Sequence, residues 1–169
     1  MERERREEME PERQEHDRER QKDDIVTVTR IVRAQPHEVF AVWTQPAMVR
    51  QWAARATSID PRAGTRLRQK VASGPGLHLV SGEYSEVVLA KRLVMTWTHE
   101  NPPETPHSET RVIVDLNLAG PNLTELRVTE QPIPPADHGA AEAAWQTMLD
   151  ALDPLIATLV DDGAWRAAG

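Results

Sequence analysis

The chain has 169 residues, 39% of them hydrophobic and 28% charged, and no cysteine. This composition fits one globular domain with a tail and excludes thiol catalysis, thiolate metal ligation and a disulfide scaffold. With 27 acidic against 20 basic side chains the net charge is −7, which argues against nucleic acid as the main partner.

No apolar run approaches the roughly 18 residues of a membrane span, and the charged N-terminus lacks the apolar stretch of a signal peptide. A cytoplasmic protein without membrane contact is therefore the expectation. A folded part of about 145 residues buries roughly two thirds of its unfolded surface, enough for a core that needs neither metal nor disulfide.

Residues 1–23 (MERERREEMEPERQEHDRERQKD) hold ten acids, seven bases and almost nothing apolar beyond Met1 and Met9. Burial cannot offset the ordering entropy of such a stretch, so it is expected to be disordered or a frayed, solvated helix. Pairs such as Glu2 with Arg6 favour the helix, whereas Pro11 interrupts a continuous one. Its plain role is a solubilising extension, and the alternative is an arm that binds a protein partner. Met9 also offers a second start.

Residues 24–160 read as the folded domain and 161–169 as a C-terminal tail. Asp24 to Arg33 is rich in β-branched residues and alternates, so it is the first strand. Pro36 suits the first position of a helix, which places a short helix at His37 to Trp43 with Val39, Phe40 and Trp43 inward. Thr44-Gln45-Pro46 repeats the punctuation, with Thr44 as N-cap of a second short helix, Ala47 to Trp52.

From Thr57 onward the pattern is strand, bringing the total to about seven strand-like runs. Turns fall at Arg62-Ala63-Gly64 and Ser73-Gly74-Pro75-Gly76. Leu77 to Leu89 and Arg92 to His99 form a hairpin joined at Ala90-Lys91. Thr110 to Leu118 puts Val112, Val114, Leu116 and Leu118 on one face, and Gly120-Pro121-Asn122 leads into Thr124 to Glu130. Clean alternation implies a sheet covered on one face and solvated on the other.

The cover is the segment Ala136 to Val160. Trp145, Leu149, Leu152, Ile156 and Leu159 recur at helical spacing with Met148 and Leu155 beside them, making one broad apolar face. The fold class is thus α+β, a curved antiparallel sheet wrapped around a long C-terminal helix, with two short helices after the first strand.

This order resembles the helix-grip fold of the Bet v 1-like and START (SRPBCC) superfamily. RIVRAQPHEVFAVWTQPAMVRQW at Arg30 to Trp52, GEYSEVVLAKRLVMTW at Gly82 to Trp97, ETRVIVDL at Glu109 to Leu116 and AAWQTMLDALDPL at Ala143 to Leu155 resemble its branch named for the Hsp90 ATPase activator homologue. The resemblance covers about Ile25 to Val160 and implies a small-molecule binder, a cyclase-like protein of natural-product pathways or a chaperone activator. Fold alone does not choose among them. Two departures stand out. Trp52-Ala53-Ala54 replaces the family's tandem tryptophan and Gly-Pro, which should open that end of a cavity. Asp153-Pro154 lies inside the long helix, where the proline should kink or restart it and Asp153 could cap the last turn.

No nucleophile, metalloprotease, phosphate-loop or dinucleotide motif is present. The six histidines have no ligand spacing, so neither metal nor cofactor is expected. If Leu93, Met95 and Trp97 face inward so does His99, and if Leu126 and Val128 do so does Glu130. An inward His99 and Glu130 could orient a ligand or act as acid and base, and the plainer alternative leaves both at the sheet's rim, hydrated or bonded to loop backbone. Trp52, Tyr84, Trp97 and Trp145 are pocket-wall candidates, or simply core. Gln69 and Ser85 would be polar groups among them, with a bulge near Gly82 leaving that strand's register open. Val114, Met148 and Leu152 complete the candidate lining.

The expected function is non-catalytic binding of an apolar or aromatic small molecule between sheet and helix. The alternatives are a polyketide cyclase or dehydratase-like enzyme using His99 and Glu130, and a protein-interaction module resembling the chaperone activator. A homodimer is compatible with the sequence.

Overall fold

The computed structural model describes residues 2–52, 62, 64, 66–73, 76–99 and 109–162, with the backbone alone for 2–10, 21, 46, 50, 52, 66–73, 76–80, 99 and 162. Helix α1 (Glu2–Asp23) takes the helical of the two forms expected for the tail and runs through Pro11. The described side chains from Pro11 to Asp23 are all exposed. Water can therefore take up the carbonyl that the proline leaves without its helical donor, and Pro11 does not divide the helix as expected.

Strand β1 (Val26–Val32) leads into two short helices, α2 (Pro36–Thr44) and α3 (Pro46–Trp52), each opened by a proline. Gln35 is extended and its carbonyl receives the N–H groups of Glu38 and Val39. Gln45 serves α3 in the same way through Met48 and Val49. Thr44 does not cap α3. Its hydroxyl donates to the Phe40 carbonyl at 2.7 Å, because it belongs to the last turn of α2.

Five further strands follow: β2 (Arg66–Ser73), β3 (Gly76–Val88), β4 (Arg92–His99), β5 (Glu109–Gly120) and β6 (Leu123–Gln131). The sheet is antiparallel throughout in the order β1-β6-β5-β4-β3-β2. Its six strands are one fewer than the runs expected, and residues 53–61, where the extra run would begin, lie outside those described. After a short 3₁₀ turn at Pro135–Asp137, helix α4 (His138–Asp162) crosses the covered face as one element through Pro154. Asp153 does not cap a new turn, because its carboxylate receives a hydrogen bond from Arg30 instead.

Alternation places Leu93, Met95 and Trp97 of β4, Val112, Val114 and Leu116 of β5, and Leu126 and Val128 of β6 in one core. From α4 come Trp145, Met148, Leu149, Leu152, Ile156 and Leu159. Each such side chain contributes about 1.5–3 kcal/mol by leaving water. Leu118 departs from the pattern at 67% exposed, since β5 overruns the covered area and its register shifts between Leu118 and Gly120. Among the described residues, no helix is long and apolar enough to cross a membrane.

Arg30 ties α4 to the sheet. It follows Val26 and Val28 on the inward alternation of β1, opposite Leu126. Its guanidinium donates to Gln146 Oε1 at 2.6 Å and meets Asp150 Oδ1 at 2.9 Å and Asp153 Oδ2 at 3.0 Å. Residues 146, 150 and 153 are spaced four and three apart, so they share one side of the helix and meet a single cation.

Candidate functional site

Register brings the polar and aromatic candidates to one end of the sheet. Glu130 sits opposite Val26 on one side and Val112 on the other, and Thr110 sits opposite Trp97. Thr110 and Val112 are two apart on β5, so Thr110 is a diagonal neighbour of Glu130 on the same face. Its hydroxyl donates to Glu130 Oε1 at 2.8 Å. From α4, Trp145 Nε1–H donates to Glu130 Oε2 at 2.6 Å. An indole nitrogen can only donate, so this bond requires an acceptor on the sheet, and Glu130 supplies it.

The rings stack above this carboxylate. Trp97 and Trp145 lie 5.2 Å apart at an interplanar angle of 23°, and Trp43 of α2 tilts against Trp145 at 6.3 Å and 32°. Such offset arrangements are worth about 0.5–1.5 kcal/mol each beyond burial. Glu130 is only 5% exposed, and Thr110, Trp97 and Trp145 are more buried still. At this end of the sheet Glu130 is thus buried and bonded to side chains, rather than hydrated or bonded to loop backbone.

Close backbone approach makes room for the stack's strand. Gly82 pairs with Trp97, and a Cβ at that position would fall 1.7 Å from the Thr96 carbonyl oxygen. The bulge expected near Gly82 lies instead between Tyr84 and Glu86. Tyr84 consequently remains buried, whereas Ser85 is exposed, with its hydroxyl donating to the Val94 carbonyl at 3.2 Å. Ser85 therefore belongs to no inward-facing wall.

Of the sequence candidates, Tyr84, Trp97, Val114, Trp145, Met148 and Leu152 share one buried cluster, with Glu130 bonded to Trp145 at its edge. The side chains of Trp52, Gln69 and His99 lie outside the described residues. Thr110 is the partner that sequence reasoning missed, although it stands on the same alternation as Val112 and Val114. Arg30 was missed as well, and its signal was a single cation among inward valines. Among the described residues, no three His, Asp or Glu side chains gather as a metal site would need.

The family model described as "Activator of Hsp90 ATPase homolog 1-like protein" matches residues 33–157. No curated protein matches the chain by sequence. Among solved structures, a Mesorhizobium loti protein aligns with a TM-score of 0.67 at 22% identity, over 79% of this chain and 97% of its own. An uncharacterised protein of Rhizobium leguminosarum aligns with a TM-score of 0.66 at 27% identity, over 79% of this chain and 94% of its own. A Plasmodium falciparum protein described as an Hsp90 activator aligns with a TM-score of 0.51 at 19% identity, over 65% of this chain and 74% of its own. These structures share the helix-grip architecture.

Proposed function

The chain belongs to the activator of Hsp90 ATPase homologue 1-like family, and on that premise we propose that it binds an apolar or aromatic small molecule between sheet and α4, without chemistry of its own. The ligand would lie at the end where Trp97, Trp145 and Glu130 meet. One observation carries this reading: a carboxylate is buried under a tryptophan stack and bonded to one of its rings. Burying a carboxylate is expensive, and a well-packed apolar substitute is often neutral or stabilising. A core built for stability alone could fill the places of Glu130, Thr110 and Trp145 together with apolar side chains, whereas a binding site gains a fixed polar group beside large flat surfaces.

In this reading Trp97 and Trp145 present ring faces, and Glu130 with Thr110 holds the plane of Trp145. Both Glu130 oxygens already accept hydrogen bonds, so the residue suits orientation better than proton transfer. The test is a tryptophan-fluorescence titration with planar aromatic compounds, preceded by native mass spectrometry of the purified protein for a retained small molecule. A saturable quench is expected, with affinity falling about tenfold in Trp97→Leu as a stacking partner is lost. Unchanged affinity in a variant that still unfolds cooperatively would sink the assignment.

The interaction-module reading is favoured by α1, a helix whose described side chains are polar and exposed. It predicts a partner whose capture is lost when residues 1–23 are removed.

A further inference from the structure

A concavity lies at the far end of β5 from the tryptophan stack. It has a volume of about 590 Å³ and runs between the start of α2, the β3–β4 turn and the end of β5. Its apolar wall is Pro36, Val88 and Leu118, with buried Leu116, and Lys91, Arg92, Asp115 and Asn117 line the rest. Val88 is 38% and Leu118 67% exposed, and neighbouring Leu89 reaches 77%. These are three of the five large hydrophobic side chains exposed among the described residues, so the apolar surface is concentrated here rather than scattered.

The rim carries uncompensated positive charge. Arg92 is neutralised, because its guanidinium meets Asp115 Oδ1 at 2.8 Å and Glu86 Oε2 at 3.4 Å. Among the described residues, neither the Lys91 ammonium nor the Asn117 amide makes a side-chain hydrogen bond or ion pair. The lysine's backbone is held in place all the same. Its backbone N–H donates to the Val88 carbonyl at 3.0 Å, and its carbonyl receives the Leu116 N–H at 2.9 Å. A lysine on an anchored turn and an unused amide therefore stand beside an apolar trough.

We propose that this groove is a binding site for a small amphipathic carboxylate, its apolar body along Val88, Pro36 and Leu118 and its acid group on Lys91 and Asn117. Size favours a small ligand over a protein. The volume falls within the roughly 300–1,000 Å³ of small-molecule sites, whereas a stable protein partner needs about 800 Å² on each side, more than these few side chains provide. Charge favours a carboxylate over an amine or a neutral alcohol.

Octanoate, octan-1-ol and octylammonium are the probes, titrated into isotope-labelled protein and followed by NMR. Octanoate should shift the resonances of Lys91, Leu116 and Leu118 saturably and bind about fivefold tighter than the alcohol, the worth of one exposed charge pair. Octylammonium should bind more weakly than either. Lys91→Met should reduce octanoate to the level of the alcohol and leave the alcohol unchanged, while Leu118→Asp should weaken both. Three results would overturn the proposal: equal affinity for all three probes, octanoate binding indifferent to Lys91→Met, or shifts confined to the indole N–H signals of Trp97 and Trp145. The last would direct the acid to the interior instead.

Discussion

Glu130 shows how one buried polar residue can organise an aromatic cluster. Replacing it with leucine removes the acceptor for Trp145 Nε1–H and for the Thr110 hydroxyl. The hydroxyl can turn elsewhere, but the indole N–H cannot become an acceptor. Glu130→Leu should therefore cost about 1–3 kcal/mol in urea unfolding, the penalty of an unsatisfied buried donor. Glu130→Gln keeps an oxygen for Trp145 and offers its amide N–H to Thr110, so it should cost less than the leucine variant. The reverse order would mean that the cost of burying the charge outweighs its bonds. Gly82 makes a sharper case, because no flexible side chain can yield to a new methyl. With its Cβ 1.7 Å from the Thr96 carbonyl oxygen, Gly82→Ala must push β3 from β4 and should lower stability by about 3 kcal/mol. A loss below about 1 kcal/mol in thermal unfolding would show that the two strands can part cheaply.

At the scale of elements, α4 is held by an apolar face and by one cation beside it. Arg30 engages Gln146, Asp150 and Asp153, but Asp150 and Asp153 are well exposed, so screening limits the contribution. Arg30→Met should cost about 1 kcal/mol, less in high salt, and should reduce amide-exchange protection in α4 more than in the sheet. Uniform loss of protection would place Arg30's effect on global stability. Pro154 acts in the opposite sense. It is exposed, and it lacks the N–H that an alanine would donate to the Asp150 carbonyl. Pro154→Ala should raise stability by about 1–2 kcal/mol, the restored bond outweighing the greater freedom of the unfolded chain. An unchanged unfolding midpoint would mean that the two effects cancel.

These elements also show what a sequence discloses. The apolar face of α4 from Trp145 to Leu159 and the inward run Val112, Val114, Leu116 were legible because helix and strand impose fixed periods on burial. The bulge at Tyr84 and Glu86 was not located, since a one-residue slip exchanges the faces of everything beyond it and leaves no composition signal at Ser85. Thr44 was misread because a threonine before Gln-Pro fits the end of one helix as well as the cap of the next. Glu130 was placed on the inward face by alternation, yet its partners come from another strand and from α4. Only the assembled register brings Thr110 and Trp145 to it.

Over the whole molecule, most charge among the described residues lies at the surface, with Glu38 and Glu130 the buried exceptions. On the outer face of the sheet, Glu86, Arg92, Asp115 and Arg127 alternate in sign across neighbouring strands, and Arg127 meets Glu125 of its own strand at 3.1 Å. That face is solvated by pairing rather than by surplus charge. Helix α1 is different, because its described side chains are all exposed. Substitutions at such exposed positions change stability by no more than about 0.5 kcal/mol, and we propose residues 24–160 as the folding unit with α1 as an appendage to it. Removing residues 1–23 should leave the urea midpoint and the tryptophan emission unchanged, while raising the net charge from −7 to −4 through loss of ten acids and seven bases. A drop of more than about 1 kcal/mol would instead mean that α1 shields part of the sheet or of α4 in solution. Unchanged stability would leave α1 free to act on a partner, as the interaction-module reading requires.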